Sequence, residues 1–426
     1  MLPLLPLLLL LLSICTTALA DTAAVAAAAI SWQSPTNVSL LRDNSANCTC
    51  YAITTRDGTV DDGSDADVQA YFAYHRFYDF RGLAGTAKQF SNTPDPVDED
   101  QDEGAEDVED PIVMNSDAWN SEWGIQNWGK NATEEFPVRM VNSPRNIYIS
   151  QTSVSDAGTD GSTNSLPTYL TLRTVRLPDF QSAAEIEHEQ KNLMHASVRM
   201  RARVVGAPGA VAGFFTFIDD DNESDVEILT DDPKGVIRYT NQPSVKDGDE
   251  VPESSARVNA LPDWDDWQTH RIDWLPYRSA WYINGELTAT NTYSIPRRPS
   301  YLVLNMWSDG GEWSGNMSVG GVAELQVQWV EMLFNTSGPV EGPGDQDDKR
   351  KMKRTNAHAK RGVPVLEKRK KKKKHCDVVC AIDDVDRVGY PEVRHVSSLA
   401  AAVAAPALGA WGLLGMAALV ALMAGL

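Results

Sequence analysis

The sequence predicts an all-β fold, an antiparallel sandwich or barrel, and three observations carry that reading. From about residue 137 to 335 the chain breaks into short runs rich in β-branched and aromatic residues, among them Tyr169-Leu170-Thr171-Leu172-Arg173, Ser197 to Val204, Val236 to Thr240 and Leu325 to Val330. Within these runs apolar residues alternate at a period of two, which places them on one face of a strand. Gly, Pro, Asn and Asp separate the runs as turn residues do, and neither an internal repeat nor a long amphipathic helix interrupts the pattern.

Composition bounds the remaining classes. The 426 residues include 59 acidic and 38 basic side chains, a formal charge of −21, with 42% hydrophobic residues, 12 Trp and 12 Tyr. That is enough apolar and aromatic material for a sizeable core, which excludes wholesale disorder and a collagen-like or disulfide-scaffold chain. The charge is uneven. Lys349 to Lys374 carries 14 bases against Glu367 alone, so the rest of the chain is more acidic than the total. Such a body repels phosphates, and no nucleic-acid partner is expected for it.

Taken in order, the chain opens with a leucine-rich run, Leu4 to Leu12, followed by Ala18-Leu19-Ala20. Small residues at the peptidase positions make 1–20 a secretory signal peptide, too short for a membrane span. Six Asn-x-Ser/Thr sequons, at Asn37, Asn47, Asn131, Asn222, Asn316 and Asn335, suit a secreted glycoprotein. Residues 21–136 form an N-terminal segment, polar as far as about residue 66. Asp95 to Asp110 is an acidic loop with ten carboxylates and no base, read as solvated because like charges at that density repel. After the β-rich region, 137–335, come a basic linker, 336–375, and a cysteine-containing segment, 376–398. The last 28 residues, Leu399 to Leu426, carry no charge. As a helix they would exceed the roughly 30 Å hydrocarbon core. No base follows them, which favours a tail removed on GPI attachment near Ser397 or Ser398 over a retained membrane helix.

Without the signal peptide, four cysteines remain: Cys48, Cys50, Cys376 and Cys380. Residues two apart seldom meet disulfide geometry, so bridges are expected between the early and late pairs, with the connectivity open. The linker holds four Lys-Arg pairs, beginning at Lys349, Lys353, Lys360 and Lys368. They read as a solvated spacer, as a membrane-proximal cationic patch, or as cleavage sites for a secretory-route protease.

The chemistry concentrates in Asn222-Glu223-Ser224-Asp225-Val226-Glu227-Ile228-Leu229. In a strand, Glu223, Asp225 and Glu227 share one face, and each charge disfavours its neighbour's ionisation, so at least one pKa is raised. Retaining glycoside hydrolysis needs this pairing of an ionised nucleophile with a protonated acid about 5 to 5.5 Å apart. An exposed acidic strand face or a cation site is the plainer alternative. His270 has no Cys or His at ligand spacing, and no metal site is expected. Neither a phosphate-binding glycine loop nor a Ser-His-Asp arrangement is present.

Glu-x-Asp-x-Glu in a strand resembles the signature of glycoside hydrolase family 16, and the likeness runs over roughly residues 140 to 335. Gly213-Phe214-Phe215-Thr216-Phe217 is similar to the strand that precedes the family's carboxylate strand. Trp267-x-x-His270-x-Ile272-Asp273-Trp274, Trp281-Tyr282-Ile283-Asn284-Gly285, Leu304-Asn305-Met306-Trp307 and Gly311-Glu312-Trp313 follow in the family's order. The resemblance implies a concanavalin A-like β-jelly-roll sandwich of antiparallel sheets and an endo-β-1,3(4)-glucanase-like enzyme, close to fungal members. It implies Glu223 as nucleophile, Glu227 as acid/base and Asp225 as the electrostatic partner between them. It assigns Trp307 and Trp313 to stacking walls, Phe215 to the cleft, and Asn305, Tyr239 and Asn241 to polar sugar contacts. No cofactor is required, although the family admits a structural calcium, and the partner is a β-glucan met by a monomer.

Two departures stand out. Ser224 replaces an aliphatic residue on the core face, where a hydroxyl without a partner costs about 1 to 3 kcal/mol. Asn222 begins a sequon directly beside Glu223, where a glycan would crowd the cleft. A cell-wall glucan or chitin-glucan transglycosylase shares the same residues, and a glucan-binding lectin-like module shares the fold and the aromatics.

Overall fold

The period-two runs form strands of two antiparallel sheets whose apolar faces share one interior. The computed structural model describes residues 48–57, 66–83, 114, 117–151, 168–339 and 376–396, all within one compact unit, Ser39–Leu426. The signal peptide, the acidic loop, most of the basic linker with its Lys-Arg pairs, the C-terminal tail, Asn37 and Asn47 lie outside the described residues.

One sheet runs in the order Trp123–Ile125, Gln181–His188, Tyr301–Trp307, Val211–Asp219, Asn222–Leu229, Ile237–Asn241 and Ser255–Val258. The other runs Glu286–Asn291, Arg278–Ile283, Gln268–Leu275, Leu193–Gly206 and Val322–Thr336. Val322–Thr336 then pairs along one half with Thr168–Arg176 and along the other with Tyr74–Asp79. Gln181–His188 pairs into both sheets and closes one side of the sandwich. This is the all-β, jelly-roll-like sandwich expected from the sequence.

Alternation explains the core. On Leu193–Gly206, Val198, Met200, Ala202 and Val204 are buried while the arginines between them point away. Ala212, Phe214, Val226 and Ile228 of the facing sheet meet them around the same interior. Each of the Val, Met, Phe and Ile side chains among them, fully buried, contributes roughly 1.5 to 3 kcal/mol.

The folded unit reaches beyond 137–335 at both ends. Tyr74–Asp79 adds a strand with Phe77 and Tyr78 fully buried. Cys50–Asp57, Ala66–Phe72, Val378–Ala381 and Glu392–Val396 form a separate four-stranded sheet. In it Cys50 to Ala52 pairs in parallel with Val379 to Ala381, and two disulfides, Cys48–Cys380 and Cys50–Cys376, join the same segments. Tyr51, Ile53, Phe72 and Ile382 pack with Leu275 and Leu333 of the sandwich.

Candidate active site

The carboxylate strand Asn222–Leu229 lies between Val211–Asp219 and Ile237–Asn241. Its core face is Ser224, Val226 and Ile228, all buried. The Ser224 hydroxyl donates to Ser279 Oγ at 3.3 Å, which supplies the partner that a core-facing hydroxyl requires. The opposite face carries Glu223, Asp225 and Glu227, and all three line a cleft of about 240 Å³.

Directly opposed residues of antiparallel strands share a face, so the register assembles the rest of the site. Glu227 stands opposite Gly213, Gly213 opposite Asn305, and Asn305 opposite Glu185. One step along, Asp225 stands opposite Phe215. Phe215, Asn305 and Trp307 all line the cleft. Gly213 keeps its floor open: a Cβ there would fall 2.4 Å from Asn305 Oδ1 and 3.1 Å from the Phe215 ring. Trp313 is not part of the lining; it stacks on Trp307 at a centroid distance of 6.2 Å and is 44% exposed.

The same register corrects two expected sugar contacts. Thr240 and Arg238 stand opposite Asp225 and Glu227, whereas Tyr239 and Asn241 stand opposite Val226 and Ser224 and therefore face the core. Tyr239 is buried with its ring 5.6 Å from that of Trp281. Asn241 is fully buried and donates to the Tyr293 carbonyl at 2.9 Å. Neither reaches the cleft. His270 is buried within Gln268–Leu275, which lowers its pKa to about 4. Among the described residues no group of three or more His, Cys, Asp or Glu is arranged to hold a metal ion.

The Asn222 sequon is tied into the hairpin beside the site. Its Nδ2 donates to Asp219 at 2.7 Å and its Oδ1 accepts from the Arg297 N–H at 3.0 Å. Asn335 Oδ1 accepts from the Ala73 N–H at 3.0 Å, whereas Asn131 and Asn316 are exposed.

Among the cleft-lining residues that the sequence did not single out are Glu185 and Trp128. Glu185 is 8% exposed and accepts from Asn305 Nδ2 at 3.3 Å and from Trp128 Nε1 at 3.1 Å. Trp128 is 43% exposed at the cleft mouth. The sequence did carry a signal for Glu185, because Ala184-Glu185-Ile186-Glu187 repeats the acid/apolar alternation of the carboxylate strand. Trp128 lies in a stretch with no such period.

Electrostatically the cleft is a set of reluctant carboxylates. Burial raises the Glu185 pKa to about 7, against the lowering effect of its two hydrogen bonds. Burial also raises Glu223, Asp225 and Glu227. Asp225, the most enclosed, is pushed well up, with the charges of Glu223 and Glu227 adding to burial. A hydrogen bond with Asp225 works the other way on Glu223. Three such groups in one row retain at least one proton at neutral pH, and its titration belongs to the row. The charges of Glu223 and Glu227 add to burial in keeping Asp225 protonated, and the hydrogen bond between Asp225 and Glu223 eases the ionisation of Glu223.

The profile of Glycosyl hydrolases family 16 matches residues 148–331. Curated relatives include the beta-glucanase of Bacillus licheniformis, 32% identical over 134 residues, or 29% of this chain and 51% of that protein. The beta-glucanase of Bacillus subtilis (strain 168) is 28% identical over 130 residues, with the same two shares. The chain thus spans about half the length of the curated relatives it matches. Among solved structures, a prokaryotic beta-1,3-1,4-glucanase (lichenase) derived from a mouse hindgut metagenome aligns with 51% of this chain and 94% of its own. That alignment has 19% identity and a TM-score of 0.39. Residues 148–331, which contain the whole carboxylate row, are thus similar to glycosyl hydrolases family 16.

Proposed function

We propose that the protein is a retaining glycoside hydrolase acting on internal β-1,3 or β-1,3/1,4 linkages of glucan. The observation that carries the reading is the row Glu223, Asp225, Glu227 on the cleft face of one strand, beside Phe215, Asn305 and Trp307. The apolar faces of glucose rings stack on such aromatics, while amide groups fix hydroxyls.

Ionised Glu223 attacks the anomeric carbon as Glu227 gives its proton to the departing glycosidic oxygen. The old C–O bond breaks and a glycosyl ester forms on Glu223. Glu227, now a base, takes a proton from water; the resulting oxygen attacks the same carbon and frees Glu223. One water is consumed, and the configuration is retained after two inversions. The raised Glu227 pKa suits this cycle, because Glu227 must hold a proton at the start of each turnover, whereas burial opposes the ionisation that Glu223 needs.

The test is incubation with labelled laminarin, lichenan and chitin oligosaccharides, with and without acceptor sugars. Shorter products alone mean hydrolysis, new longer products mean transglycosylation, and binding without turnover means a lectin. Glu223→Gln should abolish turnover, and Glu227→Ala should keep more activity on aryl glycosides whose leaving groups need no proton. An inverted first product seen by NMR would overturn the mechanism.

We also place the protein at the cell surface, secreted and lipid-anchored, in cell-wall glucan remodelling. Two disulfides support an oxidising compartment, and the uncharged C-terminal run supports the anchor. Release from intact cells by a phosphatidylinositol-specific phospholipase C checks it.

A further inference from the structure

One contact to the central carboxyl comes from outside the row. Gln242 follows the strand Ile237–Asn241, and its backbone N–H donates to the Glu223 carbonyl at 3.1 Å, which fixes it alongside the carboxylate strand. Its side-chain amide can be turned only one way. Oε1 takes the Ser244 N–H at 2.7 Å, and a backbone N–H can meet only an acceptor. Nε2 therefore faces the row and donates to Asp225 Oδ2 at 3.2 Å. Asp225 is 1% exposed, and besides Gln242 it is hydrogen-bonded with Glu223.

We propose that Gln242 is a positioning residue that holds the Asp225 carboxyl by Oδ2 and thereby decides how the row's proton is divided between Asp225 and Glu223. An amide N–H selects the carbonyl-like oxygen of a protonated carboxyl, so Oδ2 accepts and the proton belongs on Oδ1. Burial and the two neighbouring carboxylates keep Asp225 neutral, so that Glu223 ionises next to a neutral group instead of a second charge, and the Gln242 donor works against them and sets how firmly that proton is held.

The other groups around Asp225 cannot substitute for this donor. Along its own strand stand Glu223 and Glu227. From Ile237–Asn241 come Thr240, opposite Asp225, and Arg238, opposite Glu227; the Thr240 hydroxyl donates toward Glu227 at 3.4 Å and Arg238 is paired with Asp232. Val211–Asp219 offers the apolar Phe215. Glu185 and Asp220 act on Glu223, both raising it. The hydrogen bond from Gln242 lowers the Asp225 pKa, against burial and the two neighbouring carboxylates.

The catalytic consequence rests on the hydrolase reading; the hydrogen-bond geometry does not. Gln242→Met keeps the length and removes the donor, and Gln242→Glu keeps the shape and adds a carboxylate. Without the donor, Asp225 binds its proton more tightly and is a poorer hydrogen-bond partner for Glu223. The acid limb of kcat/KM on lichenan or laminarin should then move up by roughly half to one pH unit in Gln242→Met, the size of one hydrogen bond. It should move further in Gln242→Glu, with KM within about twofold in both.

A second measurement needs no activity. The infrared band of the protonated carboxyl, assigned by its loss in Asp225→Asn, should titrate at higher pH in Gln242→Met than in the wild type. If the wild type cleaves no glucan, the hydrolase reading fails while this band still decides the role of Gln242. An unchanged band in a natively folded Gln242→Met would overturn the proposal, and so would a loss of activity lying wholly in KM. Should Gln242→Glu fail to fold, the near-isosteric methionine variant decides alone.

Discussion

At the residue scale, Glu185 shows how an acid can be useful to the cleft and costly to the fold. It orders Asn305 and Trp128 through two hydrogen bonds, yet burial lifts its pKa from 4.5 to about 7. The folded state therefore binds more protons than the unfolded state between these values, and stability falls as pH rises through that window. The shift corresponds to about 3 kcal/mol, present below pH 4.5 and gone above about pH 7. Glu185→Gln removes the ionisation but leaves one acceptor for two donors. The variant should be less stable than wild type by about 1 kcal/mol at pH 4, and should gain on it steadily until it is the more stable at pH 8. Denaturant melts at both values check this, and a difference independent of pH would refute it. The shared cleft face of the three carboxylates was legible because their pattern is local, three acids at alternate positions of one strand. The Ser224 partner was not, because Ser279 is 55 residues away and nothing in either sequence stretch points to the other.

At the element scale, strand parity decides what family likeness alone does not. Tyr239 and Asn241 sit on the right strand, but pairing opposite Val226 and Ser224 turns them to the core. Sequence position identified the strand; the register between Asn222–Leu229 and Ile237–Asn241, set by tertiary pairing, identified the face. Thr240 and Arg238 occupy the cleft-side positions instead. Gly213 is the complementary case, a residue whose lack of a side chain shapes the site. It stands between Glu227 and Asn305 in one cross-strand row. In Gly213→Ala the new methyl would displace the Asn305 amide, from which it would lie only 2.4 Å, and break its bond to Glu185. Because the displaced group is a side-chain end, the strand itself can persist. Glucan turnover should fall about tenfold or more, equivalent to about 1.4 kcal/mol in the barrier, with a much smaller change in thermal midpoint. Equal turnover in Gly213→Ala and wild type would show that the Asn305–Glu185 pair does not position the substrate.

At the scale of the whole molecule, the ends of the described chain are joined to each other and to the sandwich. The pairing of Cys50 to Ala52 with Val379 to Ala381 links segments more than 300 residues apart. Sequence predicted early-to-late bridges from cysteine arithmetic, but it held no sign of this parallel strand pair, since short non-local pairings have no local pattern. Polar contacts reinforce the joint. Burial would raise the Asp383 pKa, but Arg199 and Arg271 hold it below the usual carboxylate range. Asp383 also takes the Thr54 N–H at 2.7 Å, and Arg271 donates to the Thr54 carbonyl at 2.8 Å. A cut within 340–375 would therefore break one chain into two without separating them. Two bridges, a strand pair and the Tyr51, Ile53 and Ile382 contacts with Leu275 and Leu333 would still hold the pieces together. Protein cut at a Lys-Arg pair of that segment should run as one species on a non-reducing gel and as two after thiol treatment. Its unfolding free energy before reduction should stay close to that of the uncut chain. Reduction should then lower it by about 2 to 5 kcal/mol, because the two pieces are then held together by non-covalent contacts alone. Two bands without thiol would mean that the bridges do not span the cut, and unchanged stability after reduction would mean that the strand pair and Asp383 suffice without them.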